Sequence, residues 1–258
     1  MTDNVQPIYY RRRSTHKVCI GVDGTAIGGN SPILVQSMTD TPTLDIEAST
    51  TQVLRLVRAG AGLVRLTAQT AHHADALGDI RRRLDAVGCH VPLCADIHFN
   101  PNAAIEAAKY VEKVRINPGN FADPGRTFAK LEYTDEEYAA EQERIAERLR
   151  PLLALCRERK VALRLGVNHG SLSDRIMSRY GDTPEGMVES AMEYLRICRA
   201  ENFADVVVSI KASNVMVMTH TVRLLVAAME GEGMDFPLHL GVTEAGDGED
   251  ARVKSAAG

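Results

Sequence analysis

The chain has 258 residues, 45% of them hydrophobic and 25% charged. That is ordinary globular composition and excludes a mostly disordered chain. Its 10 prolines and 20 glycines exclude a collagen-like or low-complexity chain, and no stretch approaches the roughly 18 apolar residues of a membrane span. A net charge of −4 and a pI of about 6.1 leave no global footprint of nucleic-acid binding.

The first residues, MTDNVQPIYYRRRSTH, carry a basic cluster with no apolar run behind it. They do not read as a secretory signal. The cysteines are Cys19, Cys89, Cys94, Cys156 and Cys198, with no Cys-x-x-Cys pair among them. Their odd count and wide spacing predict free thiols in a reducing, cytoplasmic setting, packed as small hydrophobes. An iron–sulfur cluster needs three or four cysteines in a tight pattern, and this spacing does not supply one.

Along the chain, Gly24, Gly28 and Gly29 mark a hairpin from Val18 to Ile27. The first buried strand is expected at Ile33–Gln36. Residues 45–59 read as a helix with Val53, Leu56 and Val57 on one face and Gly60 as its stop. A strand follows at Leu63–Leu66. A second helix starts near His72-His73, with Arg81, Arg82 and Arg83 facing solvent. Strand Val91–Ile97 precedes a helix opened by Asn100 and Pro101. Strand Val111–Ile116 precedes a long charged helix, opened by a capping box at Thr134 and closing near Arg159. Strand Val161–Val167 comes next. Thr183-Pro184-Glu185 opens a helix with Met187, Ala191, Leu195 and Cys198 along one side. Strand Asp205–Ile210, a helix from Asn214 to Glu230 and strand Pro237–Val242 complete the order.

These strands are near-continuous apolar runs, as in parallel strands covered on both faces. Repeated βα units give either a doubly wound open sheet or a (β/α)8 barrel. No Gly-x-Gly-x-x-Gly follows the first strand, which disfavours a dinucleotide-binding sheet. Seven strands fit an α/β TIM-type barrel better, but a closed barrel needs eight. The expected layout is an N-terminal segment and hairpin over 1–32 that cap the barrel, then an incomplete barrel over 33–258 whose eighth strand is missing.

Four of the strands carry a cation: Arg65, Arg115, Arg164 and, at a strand end, Lys211. One buried cation is costly without a partner and usually marks an ion pair. Four at equivalent places in successive βα units converge on one barrel mouth and predict a phosphate or diphosphate pocket. The loops that follow are polar: Gln69-Thr70, Asn117-Pro118-Gly119-Asn120, Asn168-His169-Gly170-Ser171 and Ala212-Ser213-Asn214. Asp96 and His98 alternate onto the same side of their strand and suit a carboxylate–imidazole pair that positions substrate. No metal site is expected there. Glu244, at a barrel mouth beside cations, is a candidate acid or base. The helix Glu136–Arg150 reads as a solvated, charge-laced face.

Several of these segments resemble one family. They are Gln36-Ser37-Met38, Ala95-Asp96-Ile97-His98-Phe99, Val114 to Asn120, Gly166 to Leu172 and Leu240 to Gly246. They are similar to 4-hydroxy-3-methylbut-2-enyl diphosphate synthases, the iron–sulfur enzymes of the non-mevalonate isoprenoid pathway. The resemblance runs from about residue 10 to 250. Residues 121–145 and 173–199 look like the longer, three-domain form of plants and some bacteria.

The resemblance implies a TIM barrel akin to that of dihydropteroate synthase. It implies two-electron reductive ring opening and dehydration of 2-C-methyl-D-erythritol 2,4-cyclodiphosphate. Arg65, Arg115, Arg164 and Lys211 then match diphosphate-binding positions. Asn117, Asn168, Asp96 and His98 match neighbouring pocket positions, and Glu244 matches a carboxylate acting on a substrate hydroxyl. The family's [4Fe–4S] cluster sits in a C-terminal domain held by three cysteines and a glutamate, and nothing here matches that domain. Ferredoxin or flavodoxin would supply electrons to a head-to-tail homodimer. The chain is therefore expected to bind substrate but not to turn it over alone. A non-catalytic diphosphate-binding fragment and a pterin-using synthase on a related barrel are the alternatives.

Overall fold

The structure is a computed structural model that describes residues 13–21, 24–122 and 132–258. A two-stranded antiparallel hairpin, β1 (Lys17–Cys19) and β2 (Ala26–Gly28), precedes a six-stranded sheet. The sheet is formed by β3 (Gln36–Met38), β4 (Leu63–Ala68), β5 (Leu93–Ile97), β6 (Lys113–Ile116), β7 (Ala162–Asn168) and β8 (Val206–Lys211). They lie in chain order and every neighbouring pair is parallel. This is the order that right-handed βαβ crossovers produce.

The crossovers are α1 (Ile46–Arg58), α2 (Ala71–Ala86), α3 (Pro101–Ala107), α4 (Asp135–Arg159), α6 (Pro184–Ala200) and α7 (Val215–Gly231). Between β7 and α6 lies the short α5 (Asp174–Tyr180), and α8 (Gly248–Ala257) follows the last crossover. Helix starts follow local chemistry. The side chains of Asp45, Thr70, Asn100, Thr134, Ser173, Thr183 and Asn214 accept from the first turns of their helices. Thr134 and Glu137 form the full reciprocal box. The seven-residue α5 escapes sequence reading because so short a helix has no periodicity to detect. Its Arg175 is fixed by a buried two-pronged pair with Glu193 of α6, at 2.5 and 2.7 Å.

Two expected strands come out differently. The first lies at Gln36–Met38 rather than Ile33–Gln36, and Ile33 and Val35 are 95% and 60% exposed. That apolar run borders an open sheet edge and has no partner strand to bury it. The expected strand Pro237–Val242 is reduced to one parallel bridge, Leu238 with Val208. It pairs on one side only, and Gly241 turns it with a backbone φ of 152°. A cavity of about 410 Å3 separates these two edges, lined by Ile33, Leu34, Gln36, Leu238 and His239. The architecture is thus an α/β barrel with a gap where a closed barrel has its eighth strand.

The helix-facing side of the sheet forms the main core with α1 to α7. A second apolar cluster lies inside the barrel. Leu63, Cys94, Ala162 and Val207 face inward from β4, β5, β7 and β8, and Val18 and Ile20 of the hairpin pack beneath them. The hairpin therefore plugs the N-terminal end of the barrel. Residues 1–12 and 123–131 of the N-terminal and long-form expectations lie outside the described residues.

Candidate functional site

The period-2 alternation of strands decides what stands above this plug. Two residues beyond Leu63, Cys94, Ala162 and Val207 come Arg65, Asp96, Arg164 and Ser209. The sheet register sets Asp96 beside Arg115, and Arg115 beside Arg164. Lys211 sits at the end of β8, in register with Asn168. The expected convergence of Arg65, Arg115, Arg164 and Lys211 on one interior is therefore present.

Asp96 is the carboxylate of this interior. Its Oδ1 accepts from Arg115 Nη1 at 2.9 Å, and its Oδ2 lies 3.4 Å from Arg65 Nη2. His98 Nε2 is 3.3 Å from the same Oδ2, so the expected carboxylate–imidazole pair forms. Burial pushes the Asp96 pKa up, but His98, Arg115 and Arg65 outweigh it and hold the group well below the usual carboxylate range. Arg115 also donates to the Gly166 carbonyl at 2.8 Å. A Cβ on residue 166 would come within 2.6 Å of Arg115 Nε, so only glycine lets the guanidinium lie across that strand. Arg65 is steadied by the Met38 sulfur at 3.1 Å.

Among the described residues the other two cations form no ion pair. Arg164 is 1% exposed, and its protein partner is the Ser209 hydroxyl, at 3.0 Å. Among the described residues its Nε and Nη1 have no hydrogen-bond partner, nor does Arg115 Nε. Lys211 makes no ion pair among the described residues. Burial, then Arg164, Arg65 and Arg115, push its pKa down to about 7. Buried N–H groups are almost always satisfied, so cations with unpartnered N–H groups sharing one interior have the chemistry to bind an anion.

Two further residues join the site that sequence reading did not single out. Lys113 is wholly buried, in register with Cys94 and Ala162, and its Nζ is unpartnered. The alternation with Arg115 was the signal that could have found it. His239 reaches the interior from the reduced seventh strand. Burial and the charges of Arg164, Lys211, Lys113 and Arg65 press it towards the neutral imidazole.

The remaining expected site residues are placed less directly. The Asn117 amide is spent on its neighbours. Nδ2 donates to Ser171 Oγ at 2.8 Å, and Oδ1 accepts from Gly119 N at 3.1 Å. It ties the loop after β6 to the loop after β7. Asn168 ends β7 half-buried, and its carbonyl accepts from Ser171 Oγ at 3.2 Å. Glu244 is exposed, with a left-handed φ of 51°, and makes no hydrogen bond or ion pair among the described residues. Its loop nonetheless adjoins the site: Thr243 N donates to Ala212 O at 3.4 Å, and the Cβ position of Gly241 is 3.5 Å from Lys211 Nζ.

Arg81 departs from its expected solvent-facing place. It lies half-buried and donates to the carbonyls of Val91 and Cys89, so it buttresses the approach to β5. Arg82 and Arg83 are exposed, and His72 and His73 open α2 as expected.

The model of one family, the GcpE TIM-barrel domain, matches residues 15–258. The chain belongs to that family. A 4-hydroxy-3-methylbut-2-en-1-yl diphosphate synthase (flavodoxin) of Bacteroides fragilis is 64% identical over 249 residues, covering 96% of this chain and 40% of the relative. Proteins of the same description from Akkermansia muciniphila and Leptospira interrogans are 54% and 53% identical, with 43% and 38% of their lengths covered. The chain thus spans about 40% of the length of these relatives. Among solved structures, the 3-dehydroquinate dehydratase of Geobacillus kaustophilus superposes with a TM-score of 0.52 at 13% identity, covering 93% of this chain and 81% of that one. That likeness concerns the barrel fold alone.

Among the described residues, no set of three or more His, Cys, Asp or Glu side chains is placed to hold a metal ion. Cys94, Cys156 and Cys198 are buried, and burial raises each thiol pKa, to about 12 for Cys156. Buried thiols held protonated, and not gathered as a set of three, do not fit an iron–sulfur cluster. No helix among the described residues is long and apolar enough to cross a membrane.

Proposed function

We propose that this GcpE barrel is the substrate-binding part of a 4-hydroxy-3-methylbut-2-enyl diphosphate synthase. It would take 2-C-methyl-D-erythritol 2,4-cyclodiphosphate, which the complete enzyme opens and dehydrates with two electrons. The observation that carries the reading is the buried cationic interior in which, among the described residues, Arg164 Nε and Nη1 and Arg115 Nε have no hydrogen-bond partner and Lys211 forms no ion pair. A cyclic diphosphate supplies the oxygens those N–H groups lack.

In this reading, Arg164 and Lys211 grip the diphosphate. Arg115 and Arg65 are held in place by Asp96 and offer it their remaining N–H groups. Asn117 braces two mouth loops rather than the ligand, and Asn168 lines the rim. Glu244 stands on the rim loop beside Lys211, where it would hold or deliver a proton at a substrate hydroxyl. A [4Fe–4S] cluster belongs to the rest of the complete enzyme, whose expected context is a cytoplasmic homodimer. The relatives' description names flavodoxin, and a flavodoxin is the electron donor proposed here in preference to a ferredoxin.

Calorimetric titration of the folded chain with the cyclic diphosphate, at low and high salt, tests this. One-site binding that weakens with salt is expected. Arg164→Met removes a cation without stranding an acid, and should weaken binding about 10- to 100-fold, from roughly 1.5–3 kcal/mol per charged hydrogen bond. A folded chain without affinity, or a variant that binds as tightly as the parent, overturns the reading.

A further inference from the structure

The deepest polar group of the interior is Lys113. It stands in the apolar layer above the plug, level with Leu63, Cys94, Ala162 and Val207. Its side chain is 0% exposed. Its ammonium has three N–H donors, yet among the described residues Nζ meets no acceptor. The groups that face it are Cys94 of β5, Arg164 of β7, Arg65 of β4 and the His239 imidazole, with Arg115 two residues along its own strand. The Cys94 thiol is kept protonated by burial and offers no charge. The nearby carboxylate, Asp96, is already shared by Arg115, Arg65 and His98.

A lysine so placed is expensive. An uncompensated buried cation opposes folding, and a methionine of similar length would fill the same space without charge. Packing alone therefore does not explain it. Its position does. Lys113 lies in register with Ala162, one tier below Arg164 on the neighbouring strand and close enough to feel its charge, and Arg164 Nε and Nη1 are themselves buried without a partner among the described residues. In a poorly polarisable interior, an unneutralised charge just below an anion site attracts the anion strongly.

We propose that Lys113 is a further positioning residue of the diphosphate site, a second tier of positive charge that draws the ligand down onto Arg164. This rests on the reading of the barrel as a diphosphate site. The lysine does not have to touch the ligand. It acts by leaving the floor of the pocket positive once Asp96 has been consumed by the tier above. Its destabilising cost in the free chain is offset when the ligand arrives.

The test is Lys113→Met in the same chain, read by thermal melting and by titration with the cyclic diphosphate over a series of salt concentrations. The variant should melt at or above the parent temperature, bind about tenfold or more weakly, and show a shallower dependence of affinity on salt. A lysine retained only for packing would not combine gained stability with lost affinity. Equal affinity in parent and variant overturns the inference and leaves the diphosphate reading intact. A folded parent with no affinity overturns both. Should Lys113→Met fail to fold, Lys113→Gln is read in the same way, and failure of both to fold makes the lysine structural and overturns the proposal.

Discussion

Replacing Asp96 by asparagine removes the one carboxylate that holds Arg115, Arg65 and His98 together, at nearly constant volume. The Arg115–Asp96 contact is 2.9 Å between side chains that are 6% and 2% exposed. Breaking such a pair from one side leaves a buried guanidinium without its counter-charge, at roughly 3–5 kcal/mol. A chain of this size loses about 2–4 °C of melting temperature per kcal/mol. The expected fall is therefore about 6–20 °C near pH 7, towards the lower end because asparagine keeps one acceptor oxygen. The sign of the pH dependence follows from the depressed pKa of Asp96. Its stabilisation is present above the ordinary value of 3.8 and is lost as pH falls towards the folded value. The gap between parent and variant should thus be widest at neutral pH and narrow as pH drops below about 5. Melting curves by circular dichroism from neutral to acid pH read both. A variant within about 1 °C of the parent at pH 7 would refute the view that Asp96 neutralises the buried tier.

Two further outcomes follow from the same geometry. Gly119→Ala would set a Cβ 1.6 Å from the Ser171 carbonyl oxygen. The loops tied by Asn117 then cannot close, and a loss above about 3 kcal/mol is expected in a denaturant melt; parent-like stability would refute that close approach. Burial lowers Lys113 from 10.5 to about 8, and burial with neighbouring cations lowers Lys211 from 10.5 to about 7. Affinity for the cyclic diphosphate should therefore fall as pH rises through 7 to 8. Stability of the free chain should instead gain from these amines as pH rises from about 7 towards 10, because the unfolded lysines keep their protons in that window. Titrations and melts across that range check the opposed signs.

Much of this molecule is written locally. The capping residues Asp45, Asn100, Thr134, Thr183 and Asn214 announce their helices because a cap needs only the oxygen and the two or three N–H groups beside it. The apolar runs around Leu63, Leu93, Val114, Leu163 and Val206 announce buried parallel strands. Arg65, Arg115, Arg164 and Lys211 stand out because a cation in such a run has to be explained by a partner. Those features, with the motif resemblance, point to the GcpE barrel and to an anion in its mouth before any tertiary contact is known.

What only tertiary structure decides is who satisfies whom. Sequence shows four cations but not that Asp96 neutralises Arg115 and Arg65 while Arg164 and Lys211 stay unpaired, since those pairings depend on the register between strands. It shows Asn117 as a pocket amide but not that Ser171 and Gly119 have already claimed it. It passes over Lys113 and His239, because a lysine at a strand start and a histidine near a turn look solvated until the barrel curls them inward. The reduced strand at Pro237–Val242 has the same cause. A strand needs neighbours as well as an apolar run, and the edge that would pair with it lies across an open gap.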